Sequence, residues 1–342
     1  MDVGELGRSL QNSQKEDGTG CQSAPRKIAH DLFVQSAVED PIHDTLASRR
    51  RICMNSGIQL RVLTAAILMP TVIASIWWAS TWFVAGLAAV VAVFALGEFF
   101  ALGERIGFRA YRFWTFLAAL GIFAQQWYAA QAASIARLGD LLYRAGAPRV
   151  SLEMVLVLFL FGAAIIALGS QRALAEVYSS VSVSAAGLVV IAIPFSAVVR
   201  LHGVDVVGRQ LLLFTLVVVW VGDTAAYFVG SAIGRIKMTP HLSPNKTWEG
   251  AAANLFGALL VAAVFGYWMK IEPAHMLAMA ALGSIAGQMG DVFESAFKRS
   301  AGAKDSGTLL PGHGGMLDRI DALILAAPAV WYYFEWFVMR RV

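Results

Sequence analysis

The sequence predicts an all-α fold, a polytopic membrane helix bundle of about nine transmembrane helices. Three observations lead there. Hydrophobic residues make up 58% of the 342 positions and charged residues 15%, and the mean hydropathy is +0.62, too apolar for a domain whose surface is wetted. The apolar residues collect in nine runs close to the ~20 residues that a helix needs to cross a bilayer. Such runs must be helical, because backbone N–H and C=O groups in lipid have no water to bond and must satisfy one another within the segment.

The chain opens on a polar stretch, residues 1–53, rich in Gly, Ser, Gln and Asp and without sustained apolar periodicity, which reads as a disordered tail. It is not a secretory signal, since Arg49, Arg50 and Arg51 precede a run of spanning length that lacks a small-residue cleavage site. Met54 stands just before that run, so a start there would give an ordinary membrane-protein beginning, and the tail is expected to be dispensable for catalysis. The first run is 60–80 and the second 82–102. The third, 113–131, carries Gln125 and Gln126, an amide pair that neighbouring helices can bury between them. Runs 152–169 and 182–200 complete the N-terminal membrane helices, residues 54–210. The C-terminal part, 211–342, holds runs 211–232, 250–270, 274–291 and 320–340. Cys21 and Cys53 are the only cysteines; neither has a metal-ligating neighbour in sequence, so neither a thiolate site nor a disulfide framework is implied.

Arg49, Arg50, Arg51 and Arg61 flank the first run on its N-terminal side, and an excess of Lys and Arg marks the cytoplasmic face. Counting from a cytoplasmic N-terminus puts loops 103–112, 170–181, 233–249 and 292–319 inside, and 132–151, 201–210 and 271–273 outside. The outside set still holds Arg137, Arg144 and Arg149, so the bias is modest. Loops 233–249 and 292–319, which carry the unusual chemistry, fall on one side and can form one site.

Ionisable groups beside hydrocarbon are costly and mark functional sites. Asp291, Glu294, Ser295 and Lys298 recur at i, i+3, i+4 and i+7, so they share one face if the eighth helix continues through them. Snorkelling of a helix end accounts for Lys298 and Arg299, but not for Asp291 beside the apolar run. Asp318 and Asp321 stand one turn apart at the start of the ninth helix, where the macrodipole favours carboxylates. Lys304 and Arg319 lie in the same stretch. Acids and bases converging from two helix ends suit a metal-bound polyphosphate: hard oxygen ligands for Mg2+, and cations for the phosphate oxygens that the metal leaves uncovered. Gly312, Gly314 and Gly315 around His313 allow positive φ and a close approach of N–H groups to an anion; His313 either shapes that turn or contacts ligand. Upstream, MTPHLSPNKTWEG brings Ser243, Asn245, Lys246, Thr247 and Glu249 into the seventh helix, partly as a capping arrangement that leaves Lys246 unaccounted for. Asp223 sits inside an apolar run, a functional candidate by default, although pairing with a base on a neighbouring helix would also hold it there.

The run SAFKRSAGAKDSGTLLPGHGGMLDRID, residues 295–321, resembles the phosphatidate cytidylyltransferases at Ser295, Lys298, Arg299, Lys304, Asp305, Gly307, Pro311, His313, Gly314, Gly315, Asp318, Arg319 and Asp321. The runs SPNKTWEG and GDTAAYF are similar to that family's as well. The resemblance covers the C-terminal third closely and the rest by helix count. Asn245 and Ser231 stand where relatives often carry bases, and the long polar N-terminus is not a usual family feature. The resemblance implies a Mg2+-dependent transfer at the cytoplasmic face, in which CTP and phosphatidic acid give CDP-diacylglycerol and pyrophosphate in phospholipid synthesis. It implies Asp291 and Asp318, 27 residues apart, as metal ligands, with a second cation such as K+ beside the Mg2+. Lys298, Arg299, Lys304 and Arg319 would meet phosphates. Ser243, Lys246, Asp223, Ser295, His313, Gly314, Gly315 and Asp321 would line the substrates. The partners so implied are CTP, phosphatidic acid and the bilayer, with a second copy of the chain as a further candidate and no nucleic acid; the expected location is the bacterial inner membrane.

Three rivals bear on this reading. A membrane lipid-alcohol kinase using CTP would share the fold plan and the nucleotide chemistry. A CDP-alcohol phosphotransferase would carry D-G-x-x-A-R, which is absent. A secondary transporter would show broken helices in matching halves, and no internal repeat is seen.

Overall fold

The computed structural model describes residues 66–138, 150–170, 173–309 and 314–339. It is all-α apart from one hairpin. In chain order α1 is Ala66–Trp78, α2 Thr81–Arg105, α3 Arg112–Leu138, α4 Leu152–Gly169 and α5 Leu174–Gly187. α5 runs on through a π-helical turn, Leu188–Ala192, into the short pieces Ile193–Phe195 and Ala197–His202. Then follow α6 (Gly208–Ile233), the strands β1 (Lys237–Thr239) and β2 (Ser243–Thr247), α7 (Trp248–Met269), α8 (Pro273–Ser300) and α9 (Leu317–Tyr333), which ends in a second π turn, Phe334–Val338. The tail at 1–53 and His313 lie outside the described residues, as do Arg144 and Arg149.

Among the described residues, six helices are long and apolar enough to cross a membrane: α2, α4, the α5 continuation Ala175–His202, α6, α7 and α8. The third run, the one interrupted by Gln125 and Gln126, forms a helix but is not among the six. α1 is short within the described residues, and α9 carries Asp318, Arg319 and Asp321 in its first two turns. The chain is an integral membrane protein.

The core collects side chains from most of these helices, including Leu96 and Phe100 of α2, Phe123 of α3, Leu211 and Phe214 of α6, and Met276 and Met279 of α8, all fully buried. Large apolar residues also point outward, among them Ile165, Leu168, Val264 and Tyr267, as expected where the solvent is hydrocarbon. α6 packs along α7, α7 along α8, and α8 along α9. This last contact places the site, and it depends on a small residue: a Cβ at Gly290 would collide with the backbone carbonyl of Asp321. The glycine lets the two backbones approach closely, as small residues do between membrane helices.

α8 starts with Pro273 in its first turn and runs 28 residues, about 42 Å at 1.5 Å per residue. It therefore outlasts the ~30 Å hydrocarbon layer, and its last turns, past the apolar stretch, carry Asp291, Glu294 and Lys298. The expected run, 274–291, stops where the apolar residues stop; the helix itself continues to Ser300.

The loop after α6 folds into an antiparallel hairpin, with Lys237 opposite Thr247 and Thr239 opposite Ser243. Thr247 caps α7 by accepting from the Gly250 N–H at 3.2 Å. Glu249, which completes a capping pattern in the sequence, instead accepts from the N–H groups of Arg235 at 3.1 Å and Ile236 at 3.2 Å. That bond pins the hairpin's first strand to the start of α7.

Candidate active site

The eighth and ninth helices bring three carboxylates together. Asp291 and Glu294 come from one face of α8 and Asp321 from the second turn of α9, and their nearest oxygens all lie within 4.8 Å of one another. Three hard anionic oxygen donors so close repel one another unless a cation sits among them. Glu294 is only 4% exposed, and its carboxylate meets Lys298 Nζ at 2.5 Å, one turn along the same helix.

Lys298 is shared. Its Nζ also donates to Asp318 Oδ1 at 2.7 Å, so Glu294, Lys298 and Asp318 form a chain from α8 to the start of α9. The other oxygen of Asp318 receives the Ser306 N–H at 3.0 Å, the Ser306 hydroxyl at 2.9 Å and the Gly315 N–H at 2.8 Å. Asp318 thus organises the loop that leads into its own helix, and it does not join the carboxylate triad. Gly314 holds a φ of +79°, the left-handed conformation that glycine adopts at no steric cost, and this turns the Gly315 N–H onto Asp318.

The hairpin closes the site from the other side. Lys246 Nζ reaches Asp291 Oδ2 at 2.6 Å, and Arg299 donates through Nε to the Leu242 carbonyl at 3.1 Å and through Nη1 to the Ala303 carbonyl at 2.9 Å. The two polar loops therefore meet. Arg299 is spent on backbone carbonyls of both, which makes it a tie between the loops, whereas Lys304 and Arg319 are exposed.

Behind the triad a polar ladder links α6, α7 and α8. Asp223 on α6 accepts from Asn254 Nδ2 at 3.2 Å, Asn254 Oδ1 accepts from the Ser284 hydroxyl at 2.7 Å, and Gln288 donates to Ser284 at 3.3 Å. Asp223 lies close enough to Asp291 and Asp321 for the like charges to repel. Five carboxylates, Asp223, Asp291, Glu294, Asp318 and Asp321, are thus gathered around two ammonium groups, Lys246 and Lys298. This excess of hard anionic oxygens fits a divalent cation such as Mg2+. Of the remaining expected residues, Ser243 is half-buried at the start of β2 and Ser295 is buried in α8.

Two carboxylates escaped the expected site. Glu294 shares the α8 face with Asp291 but was not among the expected ligands. Glu98, in the last turns of α2, accepts from the N–H groups of Met316 at 2.8 Å and Leu317 at 2.9 Å, and from the Ser306 hydroxyl at 2.8 Å. It is an acid inside an apolar run, and that signal was present in the sequence.

The sequence pattern of the Cytidylyltransferase family matches residues 59–337. The chain is also similar to "Phosphatidate cytidylyltransferase" of Bacillus subtilis (strain 168), 38% identical over 145 residues, which cover 42% of this chain and 54% of that one. It is similar to the protein of the same name from Brucella suis biovar 1 (strain 1330), 48% identical over 141 residues, 39% of this chain and 50% of that one. A third, from Haemophilus influenzae, is 41% identical over 140 residues, 39% of this chain and 48% of that one. The chain spans about half the length of these relatives in each match. With the family's pattern extending over both membrane parts and the site, the chain belongs to the Cytidylyltransferase family.

Proposed function

We propose that this protein is a nucleotidyltransferase that joins CTP to phosphatidic acid, giving CDP-diacylglycerol and pyrophosphate. The observation that carries this reading is the carboxylate group Asp291, Glu294 and Asp321, held between two polar loops rich in cations, in a chain whose family and named relatives act in this chemistry. An oxygen of the lipid phosphate attacks the α-phosphorus of CTP, the bond to the β-phosphate oxygen breaks, and pyrophosphate leaves. The attacking phosphate is already ionised near neutral pH, so no protein base has to remove a proton. What remains for the protein is positioning and charge neutralisation.

Bound Mg2+ would supply that neutralisation at phosphate oxygens. Asp291 and Asp318 are the ligands that the family resemblance implies, and the geometry adds Glu294 and Asp321 to the donor set; a second cation such as K+ is consistent with the number of acids. Lys246 and Lys298, which pair with carboxylates, would turn to phosphate oxygens, and exposed Lys304 and Arg319 would meet the nucleotide or the lipid headgroup. Arg299 holds the hairpin over them.

The site is proposed to open to the cytoplasm of a bacterial inner membrane and sideways to lipid, because CTP is water-soluble and phosphatidic acid stays in the bilayer. With Cys21 and Cys53 replaced, a cysteine at exposed Thr308 should react with an impermeant thiol reagent only from the cytoplasmic side; reaction only from outside would reverse the topology. The activity itself is tested by pyrophosphate release from membranes carrying the chain. Release that needs both CTP and phosphatidic acid, and stops on chelation of divalent cations, is the expected result; release indifferent to phosphatidic acid would exclude the reading.

A further inference from the structure

Glu98 ties the N-terminal helices to the loop that carries Asp318. Its Oε1 accepts from the Met316 N–H and its Oε2 from the Leu317 N–H, at the start of α9. These donors have no partner within their own helix, and a carboxylate there is favoured by the helix dipole as well. The cap comes from α2, more than 200 residues away in sequence.

The Ser306 hydroxyl stands between Glu98 Oε2 at 2.8 Å and Asp318 Oδ2 at 2.9 Å, and Ser306 is buried. A second, independent observation concerns two glycines of the same loop. A Cβ at Gly307 or at Gly315 would run into the Glu98 carboxylate. The loop is therefore shaped around Glu98, with its side chains removed where that carboxylate enters.

We infer that Glu98 is a positioning residue: it sets Ser306, Gly307 and the 314–317 entry to α9 and, through Ser306, the orientation of Asp318 for the metal and phosphates. This rests on the functional reading above, and it accounts for a half-buried acid of α2 that the chemistry itself does not use. Glu98→Gln keeps the volume but turns one acceptor into an NH2 group facing a donor, while Glu98→Ala takes the acceptor from the Met316 and Leu317 N–H groups and leaves the Ser306 hydroxyl only Asp318.

The test uses the full chain, purified in detergent, with two readouts. Trypsin should cut after Lys304 in the Glu98→Ala chain at least about tenfold faster than in the wild type, because the anchored loop resists opening. Under the same conditions the Mg2+ concentration for half-maximal activity of Glu98→Gln should rise by roughly tenfold, in the range seen for residues that orient metal ligands. A residue that only supported the fold would reduce the amount of active protein and leave the Mg2+ requirement unchanged. An unchanged cutting rate, or an unchanged Mg2+ requirement in a chain that turns over, overturns the inference. If the wild type makes no CDP-diacylglycerol, the functional reading fails while the cutting rate still decides the role of Glu98.

Discussion

Asp291→Asn lowers turnover by on the order of 10²–10³-fold, the loss seen when one preorganised charge-stabilising group is removed, while the bundle stays folded. The two expectations have one cause. Asp291 lies within 4.8 Å of two other carboxylates and feels Asp223 as well, so removing its charge relieves repulsion even as Lys246 loses its partner at 2.6 Å. The amide has the same volume as the acid and opens no cavity. The thermal midpoint should therefore hold or rise as activity falls. Asp318→Asn should behave differently. That carboxylate accepts from Lys298 and from three donors around the loop, so its loss costs stability together with activity. Measuring turnover and thermal unfolding of both variants separates the two roles, and near-normal activity of Asp291→Asn at saturating Mg2+ would remove Asp291 from the proposed metal site.

Lys298→Met should be the more damaging change to the fold. Its ammonium is the partner of Glu294 at 2.5 Å and of Asp318 at 2.7 Å, and both carboxylates are buried in the bundle. Breaking a buried pair by removing one member costs about 3–5 kcal/mol, because the remaining charge is left uncompensated. Here two acids are left. The variant should fail to accumulate in membranes, and adding Glu294→Gln should restore part of the accumulation without restoring activity. Normal accumulation of Lys298→Met alone would show that the pair does not carry the junction between α8 and α9.

Much of this architecture is legible along the chain. Runs 82–102, 152–169 and 250–270 become helices with nearly those bounds, because a spanning helix is specified by length and apolarity alone. The polar face of α8 is equally readable, since the spacing from Asp291 to Lys298 is a local property of one helix. The hairpin after α6 was not, because a polar loop has no apolar alternation to mark its strands. Nor were the partners of Asp318: a carboxylate near a helix start suits a metal and a helix dipole alike, and the choice was made by Lys298, Ser306 and Gly315 folding onto it. Glu98 shows the limit most clearly, since no periodicity links α2 to a loop more than 200 residues away. An isolated acid in an apolar run is the one sign the sequence carries, and Glu98 shows it as Asp223 does.

The fate of the CTP phosphates tests the central claim most directly. The chain, supplied with phosphatidic acid and CTP radiolabelled at the α- or the γ-phosphorus, should place the α label in the lipid product and release the γ label as pyrophosphate. A γ label appearing in lipid, with CDP left behind, would mean phosphoryl transfer to a lipid acceptor and would contradict the assignment of this site to cytidylyl transfer.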